Sequence, residues 1–262
     1  MAMLATRFTI DRVAHVWSWL RRRDGLQQIL IVVGGFEVYE GLRHVMTPNW
    51  PVAFNNAARI EDLERWGHFA WEQSLQRVFL GIPDLVQAMN IFYFVGHFVV
   101  TGIFFTWLYF RSRDGFRSVR NAFLIATAIS LFIHWTFPAA PPRLADVGLT
   151  DTLHAFSGID IGSPHSSPFS NPVAAVPSLH AGFAVGVAYG IVRFAKATWM
   201  KTLGVVYPVG VVLTIVVTGN HFILDAVAGM LVMVVGFMTA SRLQGRRNRA
   251  ILAPATRGGA VR

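Results

Sequence analysis

Six apolar runs, each about as long as a bilayer core is thick, constrain this chain more than any other feature. They cover Leu26 to Met46, Leu85 to Phe110, Val119 to Phe137, Ala174 to Phe194, Trp199 to Thr218 and His221 to Ala240. A bilayer core holds no water, so each run must satisfy its own backbone polar groups and therefore reads as a helix. The expected fold is all-α: a polytopic membrane protein, a six-transmembrane-helix bundle with an interfacial amphipathic helix. Charged residues make up 14% of the chain, well under the usual quarter, as such a bundle requires.

The formal net charge of +9 invites a nucleic-acid reading, but its placement argues for a membrane. Arg7, Arg12, Arg21, Arg22 and Arg23 precede the first run, and Arg111, Arg113, Arg117 and Arg120 lie between the second and third. Arg193, Lys196 and Lys201 separate the fourth from the fifth, and Arg242, Arg246, Arg247 and Arg249 follow the sixth. The alternate connections carry fewer cations, diluted by Glu61, Asp62, Glu64, Glu72 and Asp84. Positive charge in every second loop follows the positive-inside rule and predicts both termini in the cytoplasm. The expected partner is a bilayer with anionic headgroups, not nucleic acid. Cysteine is absent, which excludes disulfides and thiolate chemistry. The stretch before Leu26 lacks the features of a cleaved signal peptide, so the first run is expected to remain as an anchor. The expected organisation is a basic cytoplasmic segment (1–25), one membrane catalytic domain (26–243) and a basic, disordered tail (244–262), in a bacterial plasma membrane.

Two connections are long. Ile60 to Phe79 places Ile60, Leu63, Trp66, Ala70, Trp71, Leu75 and Val78 near helical spacing, opposite an acid-rich face with Glu61, Glu64 and Glu72. It predicts an amphipathic helix lying across the mouth of the bundle, ended by Gly81-Ile82-Pro83. Ala139 to Pro172 is rich in Pro, Gly, Ser and Asp and predicts a loop, in which Asp146, Asp151, His154, Asp160 and His165 read as solvated polar groups.

The chemistry sits at the ends of these runs. His221 and Asp225 are four residues apart and share a helix face. A carboxylate one turn away fixes the imidazole tautomer and leaves the other nitrogen a lone pair, as a nucleophilic histidine requires. His180 follows Pro177-Ser178, a pair that suits a helix N-terminus, where unpaired amides attract phosphate oxygens. His180 can serve as general acid and base, Ser178 as part of the phosphate cradle, and Arg143 as a planar fork of donors. The charge bias puts all three segments on the side away from the cytoplasm. A Zn²⁺ site on His180, His221 and Asp225 would lack a fourth anchored ligand. A transporter would place its polar groups near mid-membrane, whereas these cluster at one surface. No metal or cofactor is expected.

These residues resemble the type-2 phosphatidic acid phosphatase superfamily, in particular the branch related to inositol phosphorylceramide synthase. Ala140-Pro141-Pro142-Arg143 is similar to the first signature, Pro177-Ser178-Leu179-His180 to the second and His221-Phe222-Ile223-Leu224-Asp225 to the third. Leu63-Glu64, Trp71-Glu72 and Asn171-Pro172 also resemble that branch. The resemblance implies a lipid phosphatase or phosphotransferase in which His221 becomes a phosphohistidine, Asp225 orients it and His180 protonates the leaving alcohol. Its substrate would be a lipid phosphate or phospholipid, and the same bundle could also serve a non-catalytic lipid-binding protein. Two cations of the phosphatase signatures are replaced here by Thr136 and by Thr214-Ile215. Asn220 and Arg43 are the candidates to compensate.

Overall fold

The computed structural model describes residues 23–46, 49–159 and 173–252. Arg7, Arg12, Arg21, Arg22, Asp160, His165 and Asn171-Pro172 lie outside these ranges, as do residues 253–262 of the tail. Every regular element among the described residues is helical; the one approach to a sheet there is an isolated parallel bridge between Ala139 and Ala174. In chain order the α-helices are α1 (Asp24–Val45), α2 (Trp50–Trp66), α3 (Glu72–Leu80), α4 (Pro83–Ile91), α5 (His97–Arg111) and α6 (Arg113–Thr136). Then come α7 (Thr152–Ser157), α8 (Leu179–Phe194), α9 (Thr198–Val217) and α10 (Ile223–Leu252). A π-helical turn, Phe92–Gly96, joins α4 to α5, and a 3₁₀ turn, Pro142–Leu144, precedes α7. The chain divides into two compact units, one ending at Leu42 and one beginning at Arg43. The second unit holds every candidate site residue.

Among the described residues four helices are long and apolar enough to cross a membrane: Pro83–Arg111, Arg113–Thr136, Thr198–Val217 and Ile223–Gly245. The sequence predicts six. The first run forms α1, but Gln27, Gln28, Glu37 and Glu40 dilute its apolar character. The fourth forms α8, whose start is set by Ser178, so only 16 residues are helical. At 1.5 Å per residue that is about 24 Å, short of a core about 30 Å thick.

The predicted helix from Ile60 to Phe79 is two helices. Gly67 ends α2, and His68 takes a left-handed φ of 60° before α3 starts. Burial along this stretch cuts across the expected faces, with Ile60 buried as well as acidic and amide side chains. Glu64, Glu72 and Gln76 are buried, whereas Trp66 and Trp71 are 81% and 63% exposed. At the other end, α10 continues through Gln244–Leu252, where the composition predicts disorder.

The core of the second unit is where α10 packs along α6 and α8 packs on α9 and α10. Phe104, Leu108, Phe123, Val187 and Met233 fill it. Gly182, Gly186 and Gly190 make a small-residue stripe along α8 of the kind that lets membrane helices approach closely. Phe123 lies over Gly186 and Phe104 over Gly190. At Gly182 the neighbour is main chain: an added Cβ would stand 2.7 Å from the Gly229 carbonyl oxygen. A Cβ on Gly229 would collide with the Ser178 carbonyl. Helices α8 and α10 therefore meet backbone to backbone, next to the two motifs they carry.

Candidate active site

The turn from α9 into α10 organises the site. Gly219 adopts φ +68°, and a side chain there would press on Arg143, 3.0 Å from its Cβ. The Gly219 carbonyl accepts from the Arg143 N–H (2.8 Å), and Asn220 Oδ1 accepts from Arg143 Nε (3.0 Å). Arg143 Nη1 donates to Asp151 Oδ2 (2.7 Å), while Asp151 Oδ1 caps α7 through the His154 N–H (3.3 Å). Backbone and guanidinium of Arg143 are thus both held, with 5% of the side chain exposed.

The second motif docks on the third by main chain. Ser178 N–H donates to the Asp225 carbonyl (2.9 Å), and the Ser178 hydroxyl caps α8 through the Ala181 N–H (3.4 Å). His134, at the end of α6, donates from Nε2 to the Pro177 carbonyl (3.3 Å). His180 Nε2 lies 3.3 Å from the Tyr93 carbonyl. A carbonyl can only accept, so Nε2 carries the hydrogen and Nδ1 is left for other partners. Tyr93 belongs to the π turn, and its ring also stacks on His180 with centroids 4.4 Å apart. Behind His180 stands His97, at 4.9 Å between centroids, and the Tyr207 hydroxyl meets His97 Nδ1 at 2.9 Å. Such single-turn π bulges recur at functional sites.

His221 and Asp225 are both buried, with Nδ1 3.4 Å from Oδ2. That is within ion-pair reach but short of a formed hydrogen bond, since neither His221 Nδ1 nor Asp225 Oδ1 has a hydrogen-bond partner among the described residues. Catalytic hydrogen bonds are often loose before substrate binds. Asp225 Oδ2 meanwhile accepts from the Phe222 N–H (2.9 Å). The His180 and His221 ring centroids are 6.0 Å apart: too far to bond each other, close enough to bracket one phosphoryl group.

Two more carboxyl groups meet the start of α10. Glu72 Oε1 accepts from the Ile223 N–H (2.9 Å) and Glu64 Oε1 from the Leu224 N–H (2.7 Å). Both glutamates are buried. Burial first, and then the neighbouring Glu72 and Asp225, push the Glu64 carboxyl up to about 9.

The structure brings His221, Asp225, His180, Ser178, Asn220 and Arg143 to one end of the bundle. Ser178 and Asn220 face protein partners: the Ser178 hydroxyl caps its helix, and the Asn220 amide donates to Thr218 Oγ1 (2.8 Å). Arg43, half-buried at the end of α1, is within electrostatic reach of His134. Thr136 and Thr214 turn their hydroxyls to carbonyls of their own helices. Among the described polar residues of its loop, Asp151 stands out by clamping Arg143. Sequence reasoning misses that clamp, the Tyr93 carbonyl and the His134 contact, because each depends on which segments fold together. Glu64, Glu72 and His97 did leave a signal, as ionisable groups within apolar or amphipathic stretches. Among the described residues no three His, Asp or Glu side chains are grouped to hold a metal ion.

The family described as the PAP2 superfamily matches residues 58–239, just over two thirds of the chain. No curated protein and no solved structure matches it.

Proposed function

The chain belongs to the PAP2 superfamily, whose members are phosphatases and phosphotransferases, and from that premise we propose that it transfers the phosphoryl group of a membrane lipid through a phosphohistidine on His221. The observation that carries this reading is the meeting of His221 with Asp225, His180 and Arg143 at one end of an apolar bundle. Arg143 binds the phosphoryl oxygens, aided by the amides at the start of α8. Nε2 of His221 attacks phosphorus while the bond to the lipid oxygen breaks, and His180, entering the step as an imidazolium with its second proton on Nδ1, protonates that oxygen. Asp225 holds Nδ1 of His221 and stabilises the charge that develops on its ring. Water or an alcohol then attacks the phosphohistidine, gives its proton to His180 and breaks the P–N bond. Ser178 and Asn220 act through the helix start and Arg143 they hold. Arg43 adds positive charge near His134.

In this reading α1 and α8 complete six spans, with both termini cytoplasmic and the site on the far side. The exposed indoles of Trp66 and Trp71 suit a headgroup-level position for α2 and α3. A second reading makes the acceptor a polyol rather than water, as in the inositol phosphorylceramide synthase branch. It is favoured by a cleft of about 240 Å³ lined by Glu61, Arg65, Glu72 and Gln73 together with Ala70, Val147, Leu149 and Phe222, the last adjacent in sequence to His221.

The test incubates the purified protein in lipid nanodiscs with phosphatidic acid, phosphatidylglycerol phosphate and an isoprenyl diphosphate, with and without inositol. Mass spectrometry of the products identifies substrate and acceptor. His221→Ala should lower turnover by about 10³-fold or more at unchanged expression. Full activity in His221→Ala would end the mechanism, and lipid binding without phosphate release or transfer would favour a non-catalytic protein.

A further inference from the structure

We propose that Glu64 and Glu72 are positioning residues for this reaction: by accepting the Leu224 and Ile223 N–H groups they fix the first turn of α10 and so set the His221–Asp225 pair. The inference rests on the phosphohistidine reading for its catalytic consequence, though not for the clamp itself.

The geometry is specific. A helix start exposes unpaired N–H groups, and here consecutive ones go to different elements. Phe222 N–H goes to Asp225 within the motif, Ile223 N–H to Glu72 on α3 and Leu224 N–H to Glu64 on α2. The two glutamates reach across 151 and 160 residues of sequence to the segment that carries the nucleophile. Three carboxyl groups therefore crowd one buried helix end. A helix dipole tolerates one or two negative charges there, but three in a dry space repel strongly.

The crowding resolves through a proton. Among the described residues Glu64 Oε2 is buried with no hydrogen-bond donor, an untenable setting for an ionised oxygen. Carried as a neutral acid, Glu64 donates from Oε2 to Glu72 and keeps Oε1 for the Leu224 N–H, which leaves neither of its own oxygens orphaned. The groups facing Glu64 are Glu72 from α3 and Asp225 from α10; both disfavour its ionisation. Glu72 borders the cleft with Glu61 and Arg65, whereas Glu64 is fully enclosed, so the proton belongs on Glu64. The elevated value of about 9 agrees.

The sign of the pH effect follows. The folded state holds this proton up to about pH 9 and the unfolded chain releases it near 4.5. The stability it contributes is complete below pH 4.5 and is lost progressively as pH rises towards 9.

The experiment compares full-length wild type, Glu64→Ala, Glu64→Gln and Glu72→Ala in nanodiscs, reading thermal midpoints across pH and kcat and KM on phosphatidic acid. Glu64→Ala and Glu72→Ala should lose kcat by about tenfold or more, as small misplacements of reacting groups do, with KM within about twofold. Glu64→Gln keeps an oxygen for Leu224 and should restore most of that loss. Its midpoint should also fall less than the wild type's between pH 5 and about 9. Wild-type kcat in Glu64→Ala, or a Glu64→Gln midpoint that follows the wild type's pH dependence, would overturn the proposal. The melting series needs no substrate, so a wild type that turns over no lipid phosphate sinks the phosphohistidine reading while the clamp is still judged.

Discussion

His221 and His180 both stand at helix starts 6.0 Å apart, yet the protein holds them by different means. Around His221 the supports are ionisable. Asp225 faces its Nδ1, and Glu64, Glu72 and Asp225 take the first amides of α10. Around His180 the supports among the described residues carry no acidic charge: a main-chain carbonyl from the π turn, the stacked Tyr93 ring, and His97 with the Tyr207 hydroxyl behind it. The difference matches the two duties proposed for them. A nucleophilic imidazole gains positive charge when it bonds phosphorus, and a carboxylate stabilises that state. An acid–base imidazole must give and take a proton with comparable ease, which a neutral acceptor allows and a fixed negative charge would oppose.

The largest test removes the junction between the two regions. Gly229→Ala places a methyl group against the Ser178 carbonyl, and main chain cannot step aside as a flexible side chain can. Both histidines should fail together, with folding stability reduced by about 1–3 kcal/mol or more in a nanodisc melt. Retained activity would mean that the two motifs are not coupled through this contact. Next is Asp225→Asn, which keeps shape and removes charge. It should lower kcat by about 10²–10⁴-fold, and slow formation of the phosphoenzyme more than its breakdown, as rapid-quench measurements would resolve. The smallest effect belongs to Tyr207→Phe, which deletes only the hydroxyl behind His97. A kcat reduced by no more than about tenfold, with KM unchanged, fits a neutral support one residue removed. A loss as large as that of Asp225→Asn would erase the distinction between the two regions.

What the sequence reveals, and what it hides, divides along the same line. The helical class is legible because apolar runs of bilayer length leave the backbone no alternative, and the motif residues are legible because a helix turn places His221 beside Asp225. The span count is less so. Ser178 caps α8 late, and polar residues thin α1, both local effects that a hydropathy run averages away. The region from Ile60 to Phe79 is only partly legible, for a clear reason. An apolar stripe implies burial only where water is the alternative; beside a membrane the indoles can face outward while the glutamates turn in to meet amides of a distant helix. The Tyr93 carbonyl and the Asp151 clamp are invisible for another reason, since main-chain acceptors have no residue signature and loop carboxylates have no fixed partner.

Where Gly182 and Gly229 meet, no side chain stands between the strip of chain bearing one imidazole and the strip bearing the other. Stretching or thinning of the surrounding lipid will then lean the two rods together, as a hinge-free yoke, rather than widen the slot between them. Such an arrangement sets the spacing of the two imidazoles by main-chain packing rather than by acyl-chain length.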